Sequence, residues 1–231
     1  MEFTVKKIAE NLWALEQQGV RCFLLTGEDK AVLVDTGFGG DILSACRTVT
    51  DKPITVINTH SDGDHCGCDH QFSVRYMHPA DFARYGKGEC KAIPLQEGDI
   101  FEIGGYKLEV IWIPGHTPGS IALLDREHRL LFSGDTVQTS CIYMFGEGRD
   151  LAVFKESLVK LDVMRREGVF DTVLPAHGDV FAPADIIEDH IALAEDVLGG
   201  SSVPYGPVPE WIPETVKIYR HGRAHMFYPA E

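Results

Sequence analysis

Short apolar and β-branched runs broken by glycine dominate the first third of the chain. Residues 3–8, 12–16, 21–26 and 31–34 read as strands, interrupted at Gly19 and Gly27. The turn Asp35-Thr36-Gly37-Phe38-Gly39-Gly40 then leads to Asp41, an N-cap for a helix carrying Ile42, Cys46 and Val49 on one face. Pro53 opens another strand, 54–58, which stops at the polar cluster Thr59-His60-Ser61-Asp62-Gly63-Asp64-His65. The C-terminal end of a strand is where α/β proteins place their chemistry.

Further along, 73–77 reads as a strand, and His78-Pro79-Ala80-Asp81 starts a helix with proline in its first turn. The stretch from Gly86 to Gly98 reads as irregular. Residues 99–103, 106–113, 120–124 and 129–132 supply four more strands. Leu151, Phe154, Leu158 and Leu161 recur at helical spacing, with Gly168 as the stop after Arg165 and Arg166. A strand at 172–174 runs into Pro175-Ala176-His177-Gly178. Pro183 opens a helix with Ile187, Ile191, Ala194 and Leu198 on its apolar face, and strands at 216–219 and 224–228 close the chain. Strands dominate both halves with helices between them, which predicts an α/β fold of two packed sheets flanked by helices. A length of 231 residues fits a single domain over 1–231, since such domains run to about 200–250 residues.

Composition narrows the class. With 44% hydrophobic and 24% charged residues the chain can bury a core, which excludes a disordered or fibrous protein. The 35 acidic residues outnumber 21 basic ones, for a net charge of −14, so the basic footprint of a nucleic-acid binder is missing and an anionic membrane is a poor partner. Apolar runs such as 31–34 and 121–124 fall far short of the roughly 18 residues of a membrane span. The expected partner is a small molecule. The N-terminal residues show no secretory h-region, and the six cysteines form no C-x-x-C pair, so reduced thiols and a cytoplasmic location are expected.

Four polar clusters sit at predicted strand ends: His60-x-Asp62-x-Asp64-His65, His116 in PGHTPGS, Asp135 in SGDT and His177 in PAHG. Imidazole and carboxylate are ligands of choice for zinc, iron and manganese, and these seven side chains suffice for two ions. Gly63, Gly115, Gly134 and Gly178 suit loops that turn sharply to aim them at one point. Cys66 and Cys68 beside the cluster read as buried, packed thiols. His70 is an alternative ligand that suits a helix surface equally well. Tyr143-Met144-Phe145 suits either a pocket wall or ordinary packing.

THSDGDH followed by GHTPGS, SGDT and LPAHG resembles the metallo-β-lactamase-fold superfamily, from the strands before VDTG at Asp35 to the helix after His177. The resemblance implies an αββα sandwich with two divalent metals, zinc first and iron or manganese as alternatives, at one edge between the sheets. It implies His60, the second motif position and His116 at site one, Asp64, His65 and His177 at site two, Asp135 bridging, and Asp35 supporting from behind. The implied activity is hydrolysis of a small ester, thioester, lactone or amide by a hydroxide held between the ions, with Asp64 as the catalytic residue orienting it. Glutathione-thioester action is less favoured, because that branch carries a further C-terminal helical domain.

One position departs from the family's H-x-H-x-D-H: residue 62 is aspartate. A carboxylate there makes site one less positive, which favours harder or redox-active metals. It also resembles the iron-binding flavodiiron proteins of the same fold, which sets an oxygen-handling oxidoreductase beside the hydrolase. A non-catalytic binding module is the third possibility.

Overall fold

The computed structural model describes residues 2–85 and 90–230. β1 (Thr4–Ala9), β2 (Leu12–Gln17), β3 (Val20–Thr26) and β4 (Ala31–Val34) pair antiparallel in sequence order. β5 (Ile54–Ile57), β6 (Val74–Met77) and β7 (Lys91–Pro94) then extend that sheet in parallel. The crossover into β5 carries α1 (Ile42–Arg47), whose N-cap is Asp41, its carboxylate accepting from Ser44 N. The next crossovers carry α2 (Gly63–Cys66) and α3 (Phe82–Tyr85).

β8 (Ile100–Ile103), β9 (Tyr106–Trp112), β10 (Ile121–Asp125) and β11 (Leu130–Gly134) form an antiparallel run. After β12 (Cys141–Tyr143) and α4 (Leu151–Arg166), β13 (Thr172–Pro175) joins β11 in parallel, and the two-residue β14 (Ala182–Pro183) closes that edge. α5 (Ile186–Leu198) follows. β15 (Val216–His221) and β16 (Ala224–Pro229) then combine with β12 in a third, three-stranded sheet.

The strand interiors show why the apolar runs are continuous rather than alternating. In β3, Phe23 and Leu25 face the second sheet, while Cys22 and Leu24 face α1. In β10, Ile121 and Leu123 face the first sheet, and Ala122 and Leu124 pack under α4 and α5. A strand buried on both faces needs apolar residues at every position. The result is the expected sandwich, helices outside and two sheets within. Among the described residues no helix is long and apolar enough to cross a membrane.

Some elements differ from the sequence expectation. In the stretch read as irregular, 86–89 lie outside the described residues, but Lys91–Pro94 is an edge strand, a place where proline is tolerated. Pro183 does not open a helix: it pairs with Thr172 in β14, and α5 starts at Ile186. Packing buries Ile186, Ile187, His190, Leu193 and Ala194 of this helix and leaves Leu198 exposed.

Candidate metal centre

The four clusters follow the C-terminal ends of β5, β9, β11 and β13, and the two sheets bring those ends together. Two glycines make the approach possible. Gly134, at φ +52°, precedes Asp135, and a Cβ there would lie 2.8 Å from Thr59 Oγ1. Gly115, at φ +126°, precedes His116 and runs so close to α4 that a Cβ would lie 2.3 Å from the Phe154 backbone. Gly63, by contrast, begins α2 with open space around it and no positive φ.

His60, His116 and Asp135 form one group, and Asp64, His65 and His177 a second, the donor atoms within each lying no more than 4.8 Å apart. Asp135 faces both. Its Oδ1 lies 3.2 Å from His65 Nε2 and 3.4 Å from His177 Nε2, while its Oδ2 lies 3.6 Å from His116 Nε2. Asp64 Oδ2 is 3.2 Å from His177 Nε2. Four of these atoms, His60 Nε2, His65 Nε2, His116 Nε2 and Asp135 Oδ1, are buried without a hydrogen-bond partner. Each such orphan costs roughly 1–3 kcal/mol unless something satisfies it. Two imidazole and carboxylate groups, with three ring nitrogens and one carboxylate oxygen orphaned between them, fit two divalent ions.

The groups behind the ligands fix which ring nitrogen is free. Asp35 accepts from Thr59 N and Thr59 Oγ1, both at 2.7 Å, and from His65 Nδ1 at 2.8 Å. Thr59 Oγ1 has spent its proton on Asp35, so at 3.0 Å it accepts from His60 Nδ1. His177 Nδ1 donates to the Gly19 carbonyl at 2.7 Å. All three rings therefore present Nε2 to the centre. Asp35 itself sits at φ +62°, unusual for a non-glycine residue and held by these bonds. Asp35→Asn keeps the shape but loses acceptor capacity at His65. It is expected to weaken metal binding roughly 10- to 100-fold, measured by competition with a chromophoric chelator; an unchanged affinity would show that the Asp35 charge is dispensable.

Charge within the cluster is balanced pair by pair. Burial raises the Asp135 carboxyl, but His177 and His65 beside it hold it well below the usual range. Burial likewise disfavours a charged His177, yet Asp135 and Asp64 push it up to about 10, and His65 is raised by Asp135, Asp35 and Asp64. His116 goes the other way: burial lowers it to about 4. An ion held by Asp64, His65 and His177 would therefore displace protons from the two rings.

All seven predicted residues meet at this point, Asp62 through its Oδ2, 3.6 Å from His60 Nε2 and 3.4 Å from His116 Nε2. Sequence reasoning missed its partners. Arg149 donates to Asp62 Oδ2, and Arg84 donates to Oδ1 at 3.3 Å. Arg149 thus offsets the negative charge that aspartate brings to site one, with Arg84 on its other oxygen.

Asp81 was also missed: it ties the two ligand loops together, accepting from Ser61 N, Thr117 Oγ1 and Gly119 N at 2.7–2.9 Å. Arg21 does the same for the His177 loop through the carbonyls of Pro175, Gly178 and Asp179. A lone arginine inside an otherwise apolar strand was the one visible signal. Cys66 and Cys68 are buried, Cys66 donating to the His60 carbonyl. His70 is exposed and outside both groups. Met144 packs in the core, while its neighbours Tyr143 and Phe145 line a cleft of about 540 Å3 over the site, joined by Phe38 and Trp211.

The description of the metallo-beta-lactamase superfamily matches residues 16–177. The chain is 26% identical over 200 residues to an acyl-coenzyme A thioesterase of Gallus gallus, covering 69% of this chain and 72% of that one. It is 32% identical over 122 residues to a hydroxyacylglutathione hydrolase of Bdellovibrio bacteriovorus, covering 50% of this chain and 47% of that one. A solved metallo-beta-lactamase from Pontibacter korlensis shares the fold, with a TM-score of 0.70 at 21% identity over 84% of this chain and all of that one.

Proposed function

The chain belongs to the metallo-β-lactamase superfamily, and we propose that it is a zinc-dependent hydrolase of thioesters that carry an apolar acyl group. Its site is a hydrolase site, carried by two ligand groups with four buried, unpartnered donor atoms beneath a cleft that Asp62, Asp64, Asp135 and His177 line. His60, Asp62 and His116 would hold one ion, Asp64, His65 and His177 the other, with Asp135 shared. Bound there, the ions would supply nucleophilic water at neutral pH and polarise an acyl carbonyl.

The chain's own groups favour a leaving group that needs no proton. Besides the ligands, the titratable side chains described along the cleft are Cys141, Tyr143 and Arg149. Burial pushes both Cys141 and Tyr143 up to about 12, so neither gives up a proton readily near neutral pH. An amine leaves poorly without an acid. A thiol, with an ordinary pKa near 8.5, leaves as the thiolate. Asp64, partly exposed at the cleft floor and held ionised by His65 and His177, is placed to accept a hydrogen bond from the attacking water. The aromatic wall supports the apolar acyl group: Trp211 stacks on Tyr143 at 5.7 Å and is 66% exposed, leaving its outer face for substrate. The relative from Gallus gallus, an acyl-coenzyme A thioesterase by name, supports the same class.

The test is thiol release by zinc-loaded protein from acetyl, hexanoyl and decanoyl thioesters. Chelator-sensitive release is expected, with kcat/KM rising with chain length, and Trp211→Ala should lower the decanoyl value about tenfold, the scale of one lost aromatic contact. Cleavage of oxygen esters or lactones without thioesters would assign another substrate class.

A further inference from the structure

Asp62 stands where the family motif has an imidazole, and two cations close around it. Its Oδ2, the oxygen that faces His60 and His116, accepts from Arg149 Nη2, and Arg149 anchors its Nη1 on the His116 carbonyl. Arg84 donates Nη2 to Oδ1 and Nη1 to the Glu147 carbonyl, two residues before Arg149. The side chains of Arg149 and Asp62 are 10% and 22% exposed.

An aspartate differs from an imidazole in two ways that matter to a divalent ion. It carries a charge, and its short carboxylate rotates freely toward solvent unless something holds its plane. A guanidinium fork answers both, because it fixes a carboxylate bidentately or in a braced geometry and neutralises it. We propose that Arg149, braced by Arg84, is a positioning residue of site one: it locks the Asp62 carboxylate between His60 and His116, so that the Asp62–Arg149 pair serves in place of a neutral imidazole. This rests on the two-metal reading above. It makes a prediction that simple charge repulsion does not. An arginine beside a neutral histidine ligand would only oppose the ion, so Arg149 should help while residue 62 is acidic and stop helping when it is not.

The experiment is a zinc titration of four chains: the natural one, Arg149→Met, Asp62→His, and the double variant Asp62→His with Arg149→Met. Stoichiometry is read by elemental analysis, and the two affinities by competition with a chromophoric chelator. Arg149→Met is expected to weaken site one roughly 10- to 100-fold, the range for losing a group that orients a ligand, and to leave site two within threefold. Arg149→Lys should recover part of the loss. In the Asp62→His background the same Met substitution should leave site one unchanged or strengthen it. Unchanged or tighter site-one binding in Arg149→Met alone overturns the proposal while two ions in the natural chain keep the two-metal reading. A natural chain that saturates at one ion overturns both. If Arg149→Met does not fold, Arg149→Lys and Arg84→Met carry the test: each should weaken site one selectively, and equal binding to the natural chain in both overturns the inference.

Discussion

Asp135→Ala is expected to strip the protein of both ions and to lower hydrolysis by more than the roughly 100-fold that loss of an outer partner costs. Asp135 is the residue whose two oxygens face different groups, Oδ1 toward His65 and His177 and Oδ2 toward His116. Removing it takes a donor from each site at once, together with the negative charge that offsets two divalent cations. The change also alters the metal-free protein. Burial alone favours neutral rings at His65 and His177, and Asp135 is foremost among the groups that override it. Without that carboxylate both rings move toward the neutral form, so the loss cannot be blamed on protonated ligands. A second readout separates metal loss from misfolding. An ion held at 100 times its Kd stabilises the native state by about 2.7 kcal/mol, so the natural chain should melt higher with zinc, whereas Asp135→Ala should melt at the same temperature with and without it. Asp135→Asn, which keeps one ligating oxygen, should fall between the two. Two retained ions in Asp135→Ala would show that the shared position is not the bridge.

The parts of this architecture that could be read in the sequence are those whose physics is local. Strands covered on both faces are apolar at nearly every position, and 22–25, 31–34 and 121–124 are so throughout. The ligands were legible because each lies in a short polar word at a strand's end. What stayed hidden depends on partners distant along the chain. Asp62 and Arg149 are 87 positions apart, and Arg21 reaches a carbonyl 154 positions away. Nothing near Arg149 in sequence marks it as other than a surface charge. Asp81 was legible only as part of a helix start, although its carboxylate joins two loops. The misplaced start of α5 has the same origin. Proline serves equally at a helix's first turn and on a strand edge, and pairing with β13 selected the edge.

The second large effect comes from His190, which α5 holds on its buried face. The ring is fully enclosed, with Nδ1 donating to the Ile186 carbonyl at 2.9 Å and Nε2 without a partner. Burial lowers its pKa to about 4, while in the unfolded chain it lies near the ordinary 6.5. Between those values the unfolded state binds a proton that the folded state refuses. Stability contributed by this group is thus fully present above about pH 6.5 and is lost as pH falls toward 4, by about 3 kcal/mol at 1.36 kcal/mol per unit. Below pH 4 both states are protonated and the loss stops. His177 acts in a different window. Its raised pKa makes its contribution largest below pH 6.5 and removes it as pH rises toward 10. His116, lowered to about 4 as well, adds to the acid loss, so the diagnostic quantity is a difference between variants. Denaturant unfolding of metal-free natural protein and His190→Leu, at pH 7 and pH 4.5, should show a pH-dependent loss smaller in the variant by about 2–3 kcal/mol. An identical loss in both would mean that His190 takes up its proton inside the fold, with Nε2 finding an acceptor on protonation.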